Sequence, residues 1–113
     1  MVTIYHNNRC SKSRDALALL QEKGQEVEVI NYLIDSPTIP QLAALLKKLQ
    51  MGPEDIIRKS EKLYKEVYAG QHLTQQEWLQ VLSENPILIE RPLVVKGNKA
   101  VIGRPPENVL TIL

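Results

Sequence analysis

Val2-Thr3-Ile4-Tyr5-His6-Asn7-Asn8-Arg9-Cys10-Ser11-Lys12-Ser13-Arg14, continued by Ala16-Leu17-Ala18-Leu19-Leu20 and then Val27-Glu28-Val29-Ile30, decides the fold. Val2 to Tyr5 is a short β-prone run and reads as a buried strand. From Ser11 to Lys23 the residues Ala16, Leu17, Leu19 and Leu20 recur with helical spacing, and Gly24 stands where that helix should end. Val27 to Ile30 reads as a second strand. One short helix between two strands implies a right-handed crossover and a parallel pair.

Outward from this unit the middle of the chain is helical. Pro37 and Pro40 frame a helix start, and Leu42, Ala43, Leu45, Leu46 and Leu49 form its apolar stripe. Met51-Gly52-Pro53 breaks it, and Pro53 opens a short helix through Ile56 and Ile57 towards Arg58. Tyr64 to Tyr68 suggests another short turn. Thr74-Gln75-Gln76-Glu77 fits a capping box and predicts a helix to about Ser83, which Asn85-Pro86 stops. The last third returns to strands: Leu93 to Lys96 and Lys99 to Ile102 flank Gly97-Asn98, a two-residue hairpin signal. Pro105-Pro106-Glu107 then begins a final short helix through Val109 and Leu110. The order β-α-β, a helical insert at about 38–84, then β-β-α predicts an α/β, thioredoxin-like sandwich on a mixed four-stranded sheet. All of residues 1–113 are read as one domain, with no repeat or linker.

Composition narrows the function. With 113 residues, 43% of them hydrophobic, one core is expected, and four Tyr, one Trp and no Phe leave aliphatic side chains to fill it. A net charge of +1 argues against a general nucleic-acid binder. No apolar run approaches a membrane span and no signal-peptide pattern opens the chain. Cys10 is the only cysteine, which excludes an internal disulfide and any multi-cysteine metal site. A free reactive thiol fits the cytoplasm, where it stays reduced.

Cys10 falls where the first strand hands over to the first helix. A thiol there faces unpaired backbone N–H groups and the positive end of the helix dipole, both of which favour thiolate. A free thiol with a pKa of about 8.5 needs a shift of roughly two units, or about 2.7 kcal/mol, to be mostly ionised at neutral pH. A helix terminus supplies about 0.3–1 kcal/mol and at best about 2. Further positive charge or N–H donors must therefore reach Cys10. Arg9, Lys12, Arg14 and His6 are adjacent in sequence. Ser13 reads either as a hydroxyl donor to the thiolate or as a solvated helix residue, and His6 either as a tuner of the thiol or as a loop hydrogen-bonder. Arg91 and Arg104 flank the predicted hairpin, and Arg58 follows Ile56-Ile57. Two or three guanidiniums near a helix N-terminus would bind a tetrahedral oxyanion and supply the missing charge. Cys10-Ser11-Lys12-Ser13 has no second thiol to resolve a mixed disulfide, so an outside thiol must rescue an oxidised Cys10.

His6-Asn7-x-x-Cys10-x-x-Ser13-Arg14, Arg58-Lys59, Asn85-Pro86-Ile87-Leu88-Ile89-x-Arg91-Pro92-x-Val94-Val95 and Gly103-Arg104-Pro105 together resemble the glutaredoxin-coupled arsenate reductase family, end to end and in order. The resemblance implies a thioredoxin-like fold with a helical insert and a cis Arg91–Pro92 bond at the start of a strand beside the thiol. It makes Cys10 the catalytic cysteine, Arg58, Arg91 and Arg104 the oxyanion-binding arginines, and His6 the histidine that helps ionise the thiol. In the implied reaction the Cys10 thiolate attacks arsenate, glutathione as co-substrate releases arsenite, and glutaredoxin reduces the remaining mixed disulfide, with no metal and no bound cofactor. Two other functions share the fold. One is a thiol-dependent reductase of another substrate, because an oxyanion site does not name the central atom. The other is an Spx-type RNA-polymerase-binding regulator; most of those carry Cys-x-x-Cys where this chain has Cys10-x-x-Ser13, and they lack the Gly103-Arg104-Pro105 pattern.

Overall fold

Val2–His6 forms strand β1, with Val2 and Ile4 wholly buried and Thr3 and Tyr5 on the opposite face, as the period of two requires. The computed structural model describes residues 1–113. Helix α1 spans Ser11–Glu22, and Gly24 follows it at φ +72°, the left-handed geometry that ends a helix most cheaply as glycine. Strand β2 (Val27–Asn31) runs parallel to β1, with Val2 opposite Val27 and His6 opposite Asn31. Strands β3 (Leu93–Lys96) and β4 (Lys99–Ile102) form the expected hairpin, whose Gly97 sits at φ +60°. β3 lies antiparallel to β1, so the sheet is mixed and ordered β2-β1-β3-β4.

The chain divides into two compact units, Met1–Asp35 with Arg91–Leu113, and Ser36–Glu90. In the first unit Val2, Ile4, Ala16, Leu20, Val94 and Val109 make a wholly buried aliphatic cluster. Val109 comes from the last element, a 3-10 segment over Pro106–Ile112 that packs on α1 and β4. Gly103 follows β4 and donates its N–H to the Pro92 carbonyl at 2.9 Å. A Cβ there would lie 2.8 Å from Pro92 Cγ, so only glycine allows this approach. The Arg91–Pro92 bond is cis, and so is Arg104–Pro105.

The second unit carries helices α2 (Ile39–Leu49) and α3 (Gln75–Glu84), which pack on one another. Both begin with capping boxes: Thr74 with Glu77, as the sequence signals, and Thr38 with Gln41. Ser83 Oγ donates to the Pro37 carbonyl at 2.7 Å and Ser36 Oγ donates to the Ser83 carbonyl at 2.6 Å, tying the start of α2 to the end of α3. Between these helices run a 3-10 turn at Pro53–Ile56 and a π-helical turn at Tyr64–Tyr68; a second 3-10 turn at Pro86–Leu88 follows α3. No helix is long and apolar enough to cross a membrane.

Candidate active site

The sheet register gathers four chain segments at one end. β1 and β2 finish there at His6 and Asn31, β3 begins there at Leu93 opposite Tyr5, and β4 finishes there at Ile102 opposite Leu93. Asn7–Cys10, Tyr32, Arg91 and Arg104 therefore belong to the same edge of the first unit.

Cys10 is the residue that caps α1, with extended backbone (φ −96°, ψ 122°) and a partly exposed side chain. Its carbonyl accepts the first helical bond from the Arg14 N–H at 3.0 Å. The Cys10 N–H donates to the Asn7 carbonyl at 3.0 Å, and Asn7 Oδ1 accepts from the Arg9 N–H at 3.0 Å, so the turn before the thiol is held by its own amides. Arg14 braces the same turn by donating to the Asn8 carbonyl at 3.0 Å.

Four donors surround the sulfur. The backbone N–H groups of Ser13 and Lys12 point at it from the first turn of α1, and the Arg91 side chain hydrogen-bonds it. Arg104 Nη1 stands 3.7 Å from Sγ and also donates to the Arg91 carbonyl at 3.3 Å. Burial pushes the thiol pKa up, but the Ser13 N–H, the Arg91 side chain and the Lys12 N–H outweigh it, so the thiol is held below its ordinary value. This is the extra charge and hydrogen bonding that the helix dipole alone could not provide. Asn108 holds Arg104 in turn, its Nδ2 donating to the Arg104 carbonyl at 3.0 Å and the Ile102 carbonyl at 3.3 Å.

His6 and Ser13 are both buried, Ser13 wholly. Ser13 Oγ lies 2.6 Å from His6 Nδ1 and accepts from the Asn7 N–H at 3.1 Å. The hydroxyl thus serves the turn, and the Ser13 group that acts on the sulfur is its backbone N–H. Burial, and then the Arg14 charge, lower the His6 pKa, which keeps the ring uncharged; through Ser13 it braces the turn that carries the thiol. Arg58 belongs to the helical unit, where its Nε donates to Glu61 Oε1 at 3.2 Å and its backbone N–H donates to the Leu88 carbonyl at 2.6 Å. Sequence reasoning passed over Tyr32. Its signal was positional: it is the first residue after β2, at the strand end that adjoins the thiol loop.

Known proteins resemble this chain over nearly its whole length. The ArsC family profile matches residues 5–112. An arsenate reductase of Haemophilus influenzae is 45% identical, over 99% of this chain and 98% of that protein. An arsenate reductase of Escherichia coli is 34% identical, over 99% of this chain and 80% of that protein. The solved structure of an arsenate reductase from Vibrio cholerae superposes with a TM-score of 0.95 at 45% identity, covering 99% of this chain and 97% of that one.

Proposed function

Since the chain belongs to the ArsC family, we propose that it reduces arsenate to arsenite through the Cys10 sulfur, with glutathione as co-substrate and glutaredoxin restoring the thiol. The observation that carries this reading is the placement of one partly exposed sulfur among the Ser13 and Lys12 N–H groups and the Arg91 and Arg104 side chains. These donors stabilise the thiolate before reaction and suit the oxygens of a tetrahedral anion during it.

The Cys10 thiolate attacks arsenic, an S–As bond forms, and one arsenate oxygen leaves as water after protonation. Arg91 and Arg104 balance the charge on the remaining oxygens. The glutathione sulfur then attacks the Cys10 sulfur, the S–As bond breaks, and its electron pair stays on arsenic. Arsenic is thereby reduced from As(V) to As(III), and the two sulfurs are oxidised to a mixed disulfide. The chain has no second cysteine, so an outside thiol must reduce that disulfide, a role this proposal gives to glutaredoxin. The scheme requires no metal and no bound cofactor, and the need for a reduced thiol suits the cytoplasm.

An assay of arsenite formation with glutathione and glutaredoxin tests the proposal. Wild-type turnover that requires both thiol components and vanishes in Cys10→Ser is the expected result. No arsenite from the wild-type chain with both present would overturn it.

A further inference from the structure

Tyr32 is wholly buried, yet its hydroxyl has no hydrogen-bond partner. It directly follows β2, whose last residue Asn31 pairs with His6, so the ring enters the first unit beside the Asn7–Cys10 turn. The phenol oxygen is within reach of the side chains of Asn7 and Arg91, neither of which makes a well-aligned hydrogen bond to it, and the Cys10 sulfur is near enough to act on its charge. Phenylalanine would fill the same space without burying an unpaired polar atom. A phenol placed there, near both the guanidinium and the thiol, has an oxygen suited to a ligand that arrives at the sulfur.

We propose that the Tyr32 hydroxyl is a further donor of the oxyanion site, giving one hydrogen bond to an oxygen of the bound anion on its Arg91 side. This inference rests on the oxyanion chemistry proposed above and deepens it. Burial raises the Tyr32 pKa by more than Arg91 and Asn7 lower it, so the group remains a neutral O–H donor at neutral pH. A phenol O–H and a guanidinium on adjacent oxygens would fix the orientation of a tetrahedral anion before the sulfur attacks.

The test uses the full chain and measures how sulfate, and separately arsenate, protects Cys10 from iodoacetamide, in the wild type and in Tyr32→Phe. In the variant the half-protecting anion concentration should rise about 10- to 100-fold, the range expected for one hydrogen bond to a charged group. Its alkylation rate without anion, and the pH inflection of that rate, should match the wild type. Its melting temperature should be unchanged or higher, because an unpaired buried oxygen has been removed. Equal protection of both proteins overturns the inference. So does a lowered melting temperature, which would mean the hydroxyl is bonded within the folded chain, or a shifted inflection, which would mean that it acts on the thiol through Arg91. If neither anion protects the wild type, the oxyanion reading itself falls.

Discussion

Ser13→Ala separates two roles that one residue combines. The Ser13 oxygen accepts from the Asn7 N–H and meets His6 Nδ1, while the Ser13 backbone N–H faces the Cys10 sulfur. Alanine deletes the oxygen and keeps the N–H. Two buried groups then lose their partner, at a cost of about 1–3 kcal/mol each. Alanine recovers about 0.5 kcal/mol of helix propensity at this third position of α1. The net loss should be about 1.5–5.5 kcal/mol, a large share of the roughly 5–15 kcal/mol that holds a domain folded. A urea titration of wild type and variant, followed through the fluorescence of buried Trp78, measures it. The same two proteins are then alkylated with iodoacetamide across pH. Because the N–H donors of Ser13 and Lys12 and the arginines remain, the inflection of the folded variant should stay at the wild-type position. An inflection displaced towards the ordinary thiol value, with stability hardly changed, would refute this assignment and make the hydroxyl the donor to the thiolate.

Four further outcomes follow from the same contacts. Cys10 alkylation should titrate below about 8.5, the value of a free thiol; because its folded pKa is depressed, the thiolate stabilises the fold above the unfolded pKa, and that contribution fades as pH falls through the folded pKa. An inflection at the free-thiol value would contradict it. Arg104→Ala should weaken sulfate protection of Cys10 about tenfold or more with little change in the urea midpoint, since its Nη1 stands beside Sγ; Lys should restore it poorly, because an ammonium lacks the planar pair of N–H groups with which a guanidinium grips two oxygens of an anion. Wild-type protection in Arg104→Ala would remove that side chain from the site. Gly103→Ala should cost about 1–3 kcal/mol in a urea titration, because the new Cβ meets the Pro92 ring; an unchanged midpoint would show that the ring yields freely. Finally, folding keeps His6 uncharged, so stability should decline as pH drops below about 6.5, where the unfolded imidazole binds a proton that the folded one refuses. A pH series on His6→Asn should lack that component, and identical pH dependence in both proteins would rule it out.

Which of these features could be read from the chain depends on how far each signal travels. The β1–α1–β2 unit, the Gly97-Asn98 hairpin and the Thr74 cap are local patterns, and each appears where its residues stand. The Thr38 cap is equally local, with Gln41 three residues on, although Pro37 and Pro40 are the more conspicuous marks of that helix start. The last element departs from expectation in type: Pro106–Ile112 winds as a 3-10 segment, seating Val109 in the cluster with Ala16 and Leu20.

The site divides along the same line. That Cys10 meets helix N–H groups is dictated by its place before Ser11, so four neighbouring residues suffice to see it. Whether Ser13 offers the sulfur its hydroxyl or its amide depends on where His6 and Asn7 return, and a loop of this length permits either. Arg91 and Arg104 converge only because Leu93 pairs with both Tyr5 and Ile102, a register that propensity alone does not specify. Tyr32 lies furthest from view. In sequence it is an aromatic at a strand exit, indistinguishable from core. It acquires chemical meaning only when the chain leading into β3 brings Arg91 beside it and the fold leaves its oxygen without a well-aligned hydrogen bond. Local sequence thus marks the atom proposed to react, while strand pairing selects the groups that would hold what it reacts with. Substitutions that shift the β1–β3 register should therefore impair anion binding before they alter the acidity that α1 gives the thiol.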